Sequence, residues 1–158
     1  MEFKEIIGAV AQFHDAFGIQ NNYAPTSGLN AAEVQLRFDL MKEENEEYLE
    51  AAKNGDLVEI ADALGDQLYI LCGTILRHGL QDKITEVFEE IQRSNMSKLD
   101  ANGKPIYRED GKVMKGPNYF KPNIIKIEPI KWKNKNFSLK NKIANIVLNK
   151  GINDKKIP

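Results

Sequence analysis

The stretch Glu43–Asp66, EENEEYLEAAKNGDLVEIADALGD, decides the reading of this chain. It holds two acidic clusters, Glu43-Glu44-Asn45-Glu46-Glu47 and Glu59-Ile60-Ala61-Asp62 with Asp66 beyond. Between them stands Asn54-Gly55-Asp56, a helix stop followed at once by a helix cap. A connection this short forces the flanking helices antiparallel. Glu47 lies eight residues before Gly55 and Asp62 seven after it, so the two are level, as are Glu44 and Asp66. Residues three or four apart share a helix face, with Cβ atoms about 5–6 Å apart. Glu44 with Glu47, Glu43 with Glu47, and Glu59 with Asp62 therefore project together, and the two sets converge on one interhelical groove.

Working outward, apolar residues recur at helical spacing. Phe3, Ile6, Ile7, Val10, Phe13 and Phe17 predict a helix over 2–17, stopped by Gly18. A loop follows from Ile19 to Asn30, and Asn30 caps a helix running from about Ala31 to Lys53. Asp56 caps a third, Leu57 to His78, apolar nearly all round, which suits the centre of a bundle or a subunit interface. Asp82 opens a fourth, to about Asn95. Residues 105–115 then read as a short β-hairpin turning at Asp110-Gly111. The expected fold class is all-α: an antiparallel four-helix bundle with a short β-hairpin after the fourth helix. Residues 1–123 form the domain, and 124–158 are a Lys/Asn-rich extension with a short helix at Ser138–Asn149.

Composition narrows the class. The chain has 158 residues, 42% hydrophobic and 28% charged, the size and profile of one soluble globular domain. A single cysteine, Cys72, in an apolar run excludes an internal disulfide and reads as a buried thiol. No signal peptide is evident, and acids in the longest apolar segment argue against a membrane span, so the expected location is cytoplasmic. The net charge of −1 conceals −11 over residues 1–96 and +10 over 97–158. Acidic helices alone would repel a polyphosphate; Lys98, Lys112 and Lys115 could answer that by reaching its phosphates.

Converging carboxylates repel, and burying one without a partner is unfavourable. A hard divalent cation resolves both problems: Mg²⁺ takes oxygen ligands and shares its shell with water and phosphate. Di-iron chemistry needs Glu-x-x-His on two helices, but Ala11 and Ile75 stand three residues before the two histidines, His14 and His78. Those histidines read as a partly exposed helix residue and a helix C-terminal residue. No P-loop or Ser-His-Asp pattern is present. Only Trp132 and Phe137 interrupt the basic tail, which argues against nucleic acid as a partner.

Glu43-Glu44-x-x-Glu47 with Glu59-x-x-Asp62 resembles the signature of the all-α nucleotide pyrophosphohydrolase superfamily, which includes MazG-like enzymes, phosphoribosyl-ATP pyrophosphohydrolase and dimeric dUTPases. Phe13-His14-x-x-Phe17-Gly18, Ser94-Asn95-Met96-Ser97-Lys98 and Asp110–Pro117 are similar to a dUTPase-like subgroup of the MazG-like branch. The resemblance spans roughly residues 3–122. It implies a MazG-like bundle and cleavage of a nucleoside triphosphate, dUTP or a related deoxynucleotide, to monophosphate and pyrophosphate. It also implies Mg²⁺, with Mn²⁺ as substitute, held by Glu44, Glu47, Glu59 and Asp62. Glu43 would orient or deprotonate water, and Asp66 would support the metal shell or the substrate. With a nucleotide as substrate, Asn21, Asn22, Asn95 and Tyr119 are candidates for contact with base or sugar. Relatives of this kind form homodimers or homotetramers. Phosphoribosyl-ATP hydrolysis and a non-catalytic, nucleotide- or partner-binding helical protein stand as alternatives.

Overall fold

The computed structural model describes residues 1–127. The expected helix at Ser138–Asn149 lies outside the described residues. Four α-helices follow in order: α1 Phe3–Ala16, α2 Ala31–Asn54, α3 Leu57–Arg77 and α4 Ile84–Met96, with a single 3₁₀ turn at Ile124–Lys126. No helix among the described residues is long and apolar enough to cross a membrane.

Local chemistry sets the helix ends. The Asn30 side chain accepts the Glu33 amide while Glu33 reaches back to Asn30, a capping box that starts α2. Gly55 ends α2 in the left-handed region at φ +70°, where a side chain would be strained. Asp56 then accepts the amides of Val58 and Glu59 and starts α3. Two residues thus separate α2 from α3, and the helices lie against each other along their length.

The α3 helix is the central element, packing on both α2 and α1. Ile7 and Val10 of α1 meet Cys72, Ile75 and Leu76 of α3 in the core, flanked by Ile6, Ala11, Leu80 and Ile84. Cys72 is fully buried, as its apolar run implies. The loop after α1 folds over the end of α3: the Asn22 and Thr26 amides donate to the Leu76 and His78 carbonyls. These bonds satisfy acceptors that a helix C-terminus leaves open.

Beyond α4 the expected hairpin is not formed as two strands. One antiparallel bridge joins Tyr107 to Val113 around the Asp110-Gly111 turn, and the described residues contain no strand. The chain between the turn and the 3₁₀ segment returns along α4 instead. Ser94 Oγ donates to the Phe120 carbonyl at 2.8 Å, the Phe120 amide donates to Ser97 Oγ at 3.1 Å, and the Arg93 guanidinium stacks 4.2 Å over the Phe120 ring. Gly116 permits this return, because a Cβ there would stand 2.2 Å from the Leu99 carbonyl oxygen.

Candidate active site

The helical hairpin brings four of the predicted carboxylates to bear on one. Glu44 projects from α2 toward α3, and one of its carboxylate oxygens, Oε2, is shielded from solvent with no hydrogen-bond partner. This desolvation, together with the negative charges of Glu47, Asp66, Glu43 and Asp62, pushes the Glu44 carboxyl above its ordinary range. Glu43 and Glu47 share α2 with Glu44, whereas Asp62 and Asp66 come from α3. The register that places them is visible directly, since Gln67 Nε2 donates to the Glu44 backbone oxygen at 3.2 Å.

None of Glu43, Glu44, Glu47, Glu59, Asp62 and Asp66 has an ion-pair partner among the described residues. Glu43 and Glu47 also line an open trough along α2 with Asp39, Lys42, Glu46 and Glu50. The acidic patch is therefore accessible from that side.

The chain neighbours Ile60, Ala61, Ala63 and Leu64 suggest an apolar setting for Asp62, but Asp62 is exposed, because those side chains point around the helix to other faces. Glu59 lies in the first turn of α3, one turn nearer the connection than Asp62, and is absent from the charges acting on Glu44. The donor set is all carboxylate oxygen, the chemistry of a hard divalent cation. The unpartnered Glu44 oxygen and the uncompensated negative charge fit such an ion. As placed, no three His, Cys, Asp or Glu side chains among the described residues stand close enough to hold one together.

The predicted phosphate- and base-binding residues form a second group. Lys98 Nζ donates to Asn95 Oδ1 at 2.8 Å, and Lys115 Nζ stands 4.5 Å over the Tyr119 ring. The Gly116 amide, donating to the Lys98 carbonyl at 2.8 Å, ties the two pairs together. Lys112 stays on the turn, its amide bonded to Asp110. Among the described residues no hydrogen bond or ion pair links this group to the carboxylates.

Asn21 and Asn22 hydrogen-bond within the fold. Asn21 Oδ1 accepts from His14 Nδ1 at 2.8 Å while its amide nitrogen donates to Asp15 at 3.0 Å. Asn22 donates to the Arg77 carbonyl. His14, expected to be partly exposed, is only 3% exposed, and burial pushes its pKa down, aided by the charges of Arg37 and Arg77. No sequence signal marks its burial, which depends on α3 and the 19–26 loop closing over α1. His78 does cap α3, with Nδ1 donating to the Thr26 carbonyl at 2.9 Å.

The family model of phosphoribosyl-ATP pyrophosphohydrolase matches residues 10–95, from α1 into the last turn of α4. The chain belongs to this family. It is 33% identical over 97 residues to an uncharacterized protein of Acanthamoeba polyphaga mimivirus, a match covering 60% of this chain and 39% of that protein. The chain thus spans about two fifths of the length of that curated relative. A solved structure of a proposed NTP pyrophosphohydrolase from Exiguobacterium sp. 255-15 is similar at a TM-score of 0.40 and 24% identity, covering 92% of this chain and 97% of that one.

Proposed function

We propose that this chain hydrolyses the α–β phosphoanhydride bond of a deoxynucleoside triphosphate, dUTP or a close relative, and so removes unwanted nucleotides from the pool. Water adds at the α-phosphorus, the bridging bond breaks, and the products are a nucleoside monophosphate and pyrophosphate. The observation that carries this reading is Glu44, whose shielded oxygen lacks a partner and whose neighbours are four further carboxylates. An acidic patch so arranged opposes its own folding unless a cation joins it.

Glu44, Glu47, Asp62 and Glu59 are the residues that would hold Mg²⁺, or Mn²⁺ in its place, and Asp66 supports them. The bound metal would supply charge neutralisation for the phosphates and acidify water. Glu43 stands beside this set, exposed along the α2 trough, and serves as the general base that takes the water proton. Lys98 and Lys115, held by Asn95 and Tyr119, together with Lys112 on its turn, supply positive charge for the phosphates.

The enzyme works as a homodimer or homotetramer. In a single chain, α3 exposes Leu57, Val58, Leu64, Leu68 and Leu71, and α4 exposes Phe88, apolar side chains that a second copy would cover. Light scattering in solution tests this: a monomer would refute it. A substrate panel with Mg²⁺, read as pyrophosphate release, tests the activity. dUTP is expected to turn over, ahead of the other deoxynucleotides and of phosphoribosyl-ATP. Preference for phosphoribosyl-ATP would reassign the substrate, and inertness toward the whole panel would reject the hydrolase.

A further inference from the structure

Arg37 lies seven residues before Glu44 on α2, two helical turns and about 10 Å along the axis. Both side chains therefore leave the same stripe of α2 toward α3. The Arg37 guanidinium arches over Gly73: a Cβ there would lie 2.9 Å from Arg37 Nη1 and 3.0 Å from His14 Nε2. Nearby Arg77 is buried and fully engaged by the Glu33 carboxylate and the Gln20 carbonyl. Arg37 has no such partner. Among the described residues it makes neither an ion pair nor a side-chain hydrogen bond, although it is only partly exposed.

Two guanidiniums thus stand at this end of the groove; the Glu33 carboxylate engages Arg77, and the Asp15 carboxylate, bonded to Asn21, pairs with neither guanidinium. His14 adds no third charge. Its Nδ1 donates to Asn21 Oδ1, while burial first, and then the charges of Arg37 and Arg77, disfavour the imidazolium. Burial, and next the charge of Arg77, lower the Arg37 pKa from its ordinary value. A partly desolvated guanidinium without a counter-charge is unfavourable, and its planar fork matches the oxygens of a phosphate.

We infer that Arg37 is a phosphate-binding residue of the same groove, taking terminal phosphate oxygens of the nucleoside triphosphate and stabilising the departing pyrophosphate. The assignment rests on the function proposed above. An extended arginine and a polyphosphate chain together close the two turns between Arg37 and Glu44. The sequence gives no hint of it, because one arginine on an amphipathic helix reads as surface.

Calorimetric binding of inorganic pyrophosphate and, separately, of dUMP to the full chain with Mg²⁺ tests the assignment. Arg37→Met is expected to weaken pyrophosphate about tenfold or more and to leave dUMP unchanged. Arg37→Lys, which keeps the charge without the fork, should fall between. Thermal stability of the Arg37→Met variant should equal or exceed that of the native chain, since an unpaired charge beside Arg77 is removed. Loss of dUMP binding with pyrophosphate binding intact would make Arg37 a base or sugar contact and overturn the proposal. Loss of stability together with both ligands would make it structural. Equal pyrophosphate binding by native and Arg37→Met chains would sink Arg37 alone. Failure of the native chain to bind either ligand would sink the hydrolase reading as well.

Discussion

Gln67 of α3 donates from Nε2 to the backbone oxygen of Glu44 on α2, 3.2 Å away, at the height where the carboxylates of the two helices oppose each other. This bond fixes the register of the hairpin at its functional level. Gln67→Leu keeps the volume and removes the donor. The Glu44 carbonyl retains its place in the helical ladder, so the loss of stability should be modest, about 0.5–1.5 kcal/mol by urea denaturation. Turnover should fall more than this figure suggests, because opposed ligands tolerate little misplacement.

Glu44 is destabilising to the metal-free fold when ionised. Its carboxyl is raised by burial first and then by Glu47, Asp66, Glu43 and Asp62. A raised acid opposes folding once the pH climbs past its ordinary value, and below that value the effect disappears. Glu44→Gln should therefore raise the melting temperature at pH 7 without metal and leave it nearly unchanged near pH 4. Pyrophosphate release should fall by about 100-fold or more. A melting temperature lowered at pH 7 would refute the crowding of these charges.

His14 acts with the opposite sign. Its folded pKa is depressed by burial, so the unfolded chain binds the proton more readily. Its contribution to stability is complete above the ordinary imidazole value of about 6.5 and is lost as the pH falls through the lower folded value. With two histidines in the chain, proton NMR can follow each separately. The His14 midpoint should lie below the usual value; a midpoint above it would contradict the buried, neutral ring.

Gly73 and Gly65 form a paired test on α3. A methyl at Gly73 meets Arg37 Nη1 and His14 Nε2 at about 3 Å, whereas a methyl at Gly65 meets nothing within 4 Å. Gly73→Ala should destabilise by about 1–3 kcal/mol through overpacking. Gly65→Ala should be neutral or stabilising by up to about 1 kcal/mol through helix propensity. Thermal melts of the two variants give the comparison.

Local chemistry explains which parts of the fold were legible in the sequence. The Asn30–Glu33 capping box, the Gly55 stop and the Asp56 cap each act within four residues, so α2 and α3 fall within a residue of their expected ends. The opposition of Glu44 to Asp66 follows from counting around that turn. The hairpin was half legible. Asp110-Gly111 makes its turn, but the chain after it is captured by Ser94, Ser97 and Arg93 on α4 and pairs no further. The burial of His14 and the position of Arg37 were invisible, because both are set by α3 and a loop remote in sequence. Asn21 and Asn22, polar loop residues that suggest ligand contacts in the sequence, tie the loop to α1 and α3 in the fold.

The most direct measurement is Mg²⁺-dependent pyrophosphate release from dUTP by Glu47→Gln and Asp62→Asn, singly and combined. If carboxylates from α2 and α3 serve one shared centre, each single variant should lose nearly all turnover and the double variant should be little worse than either. Folding should be intact in all three. Native-like turnover in either single variant would contradict a shared carboxylate centre between the helices.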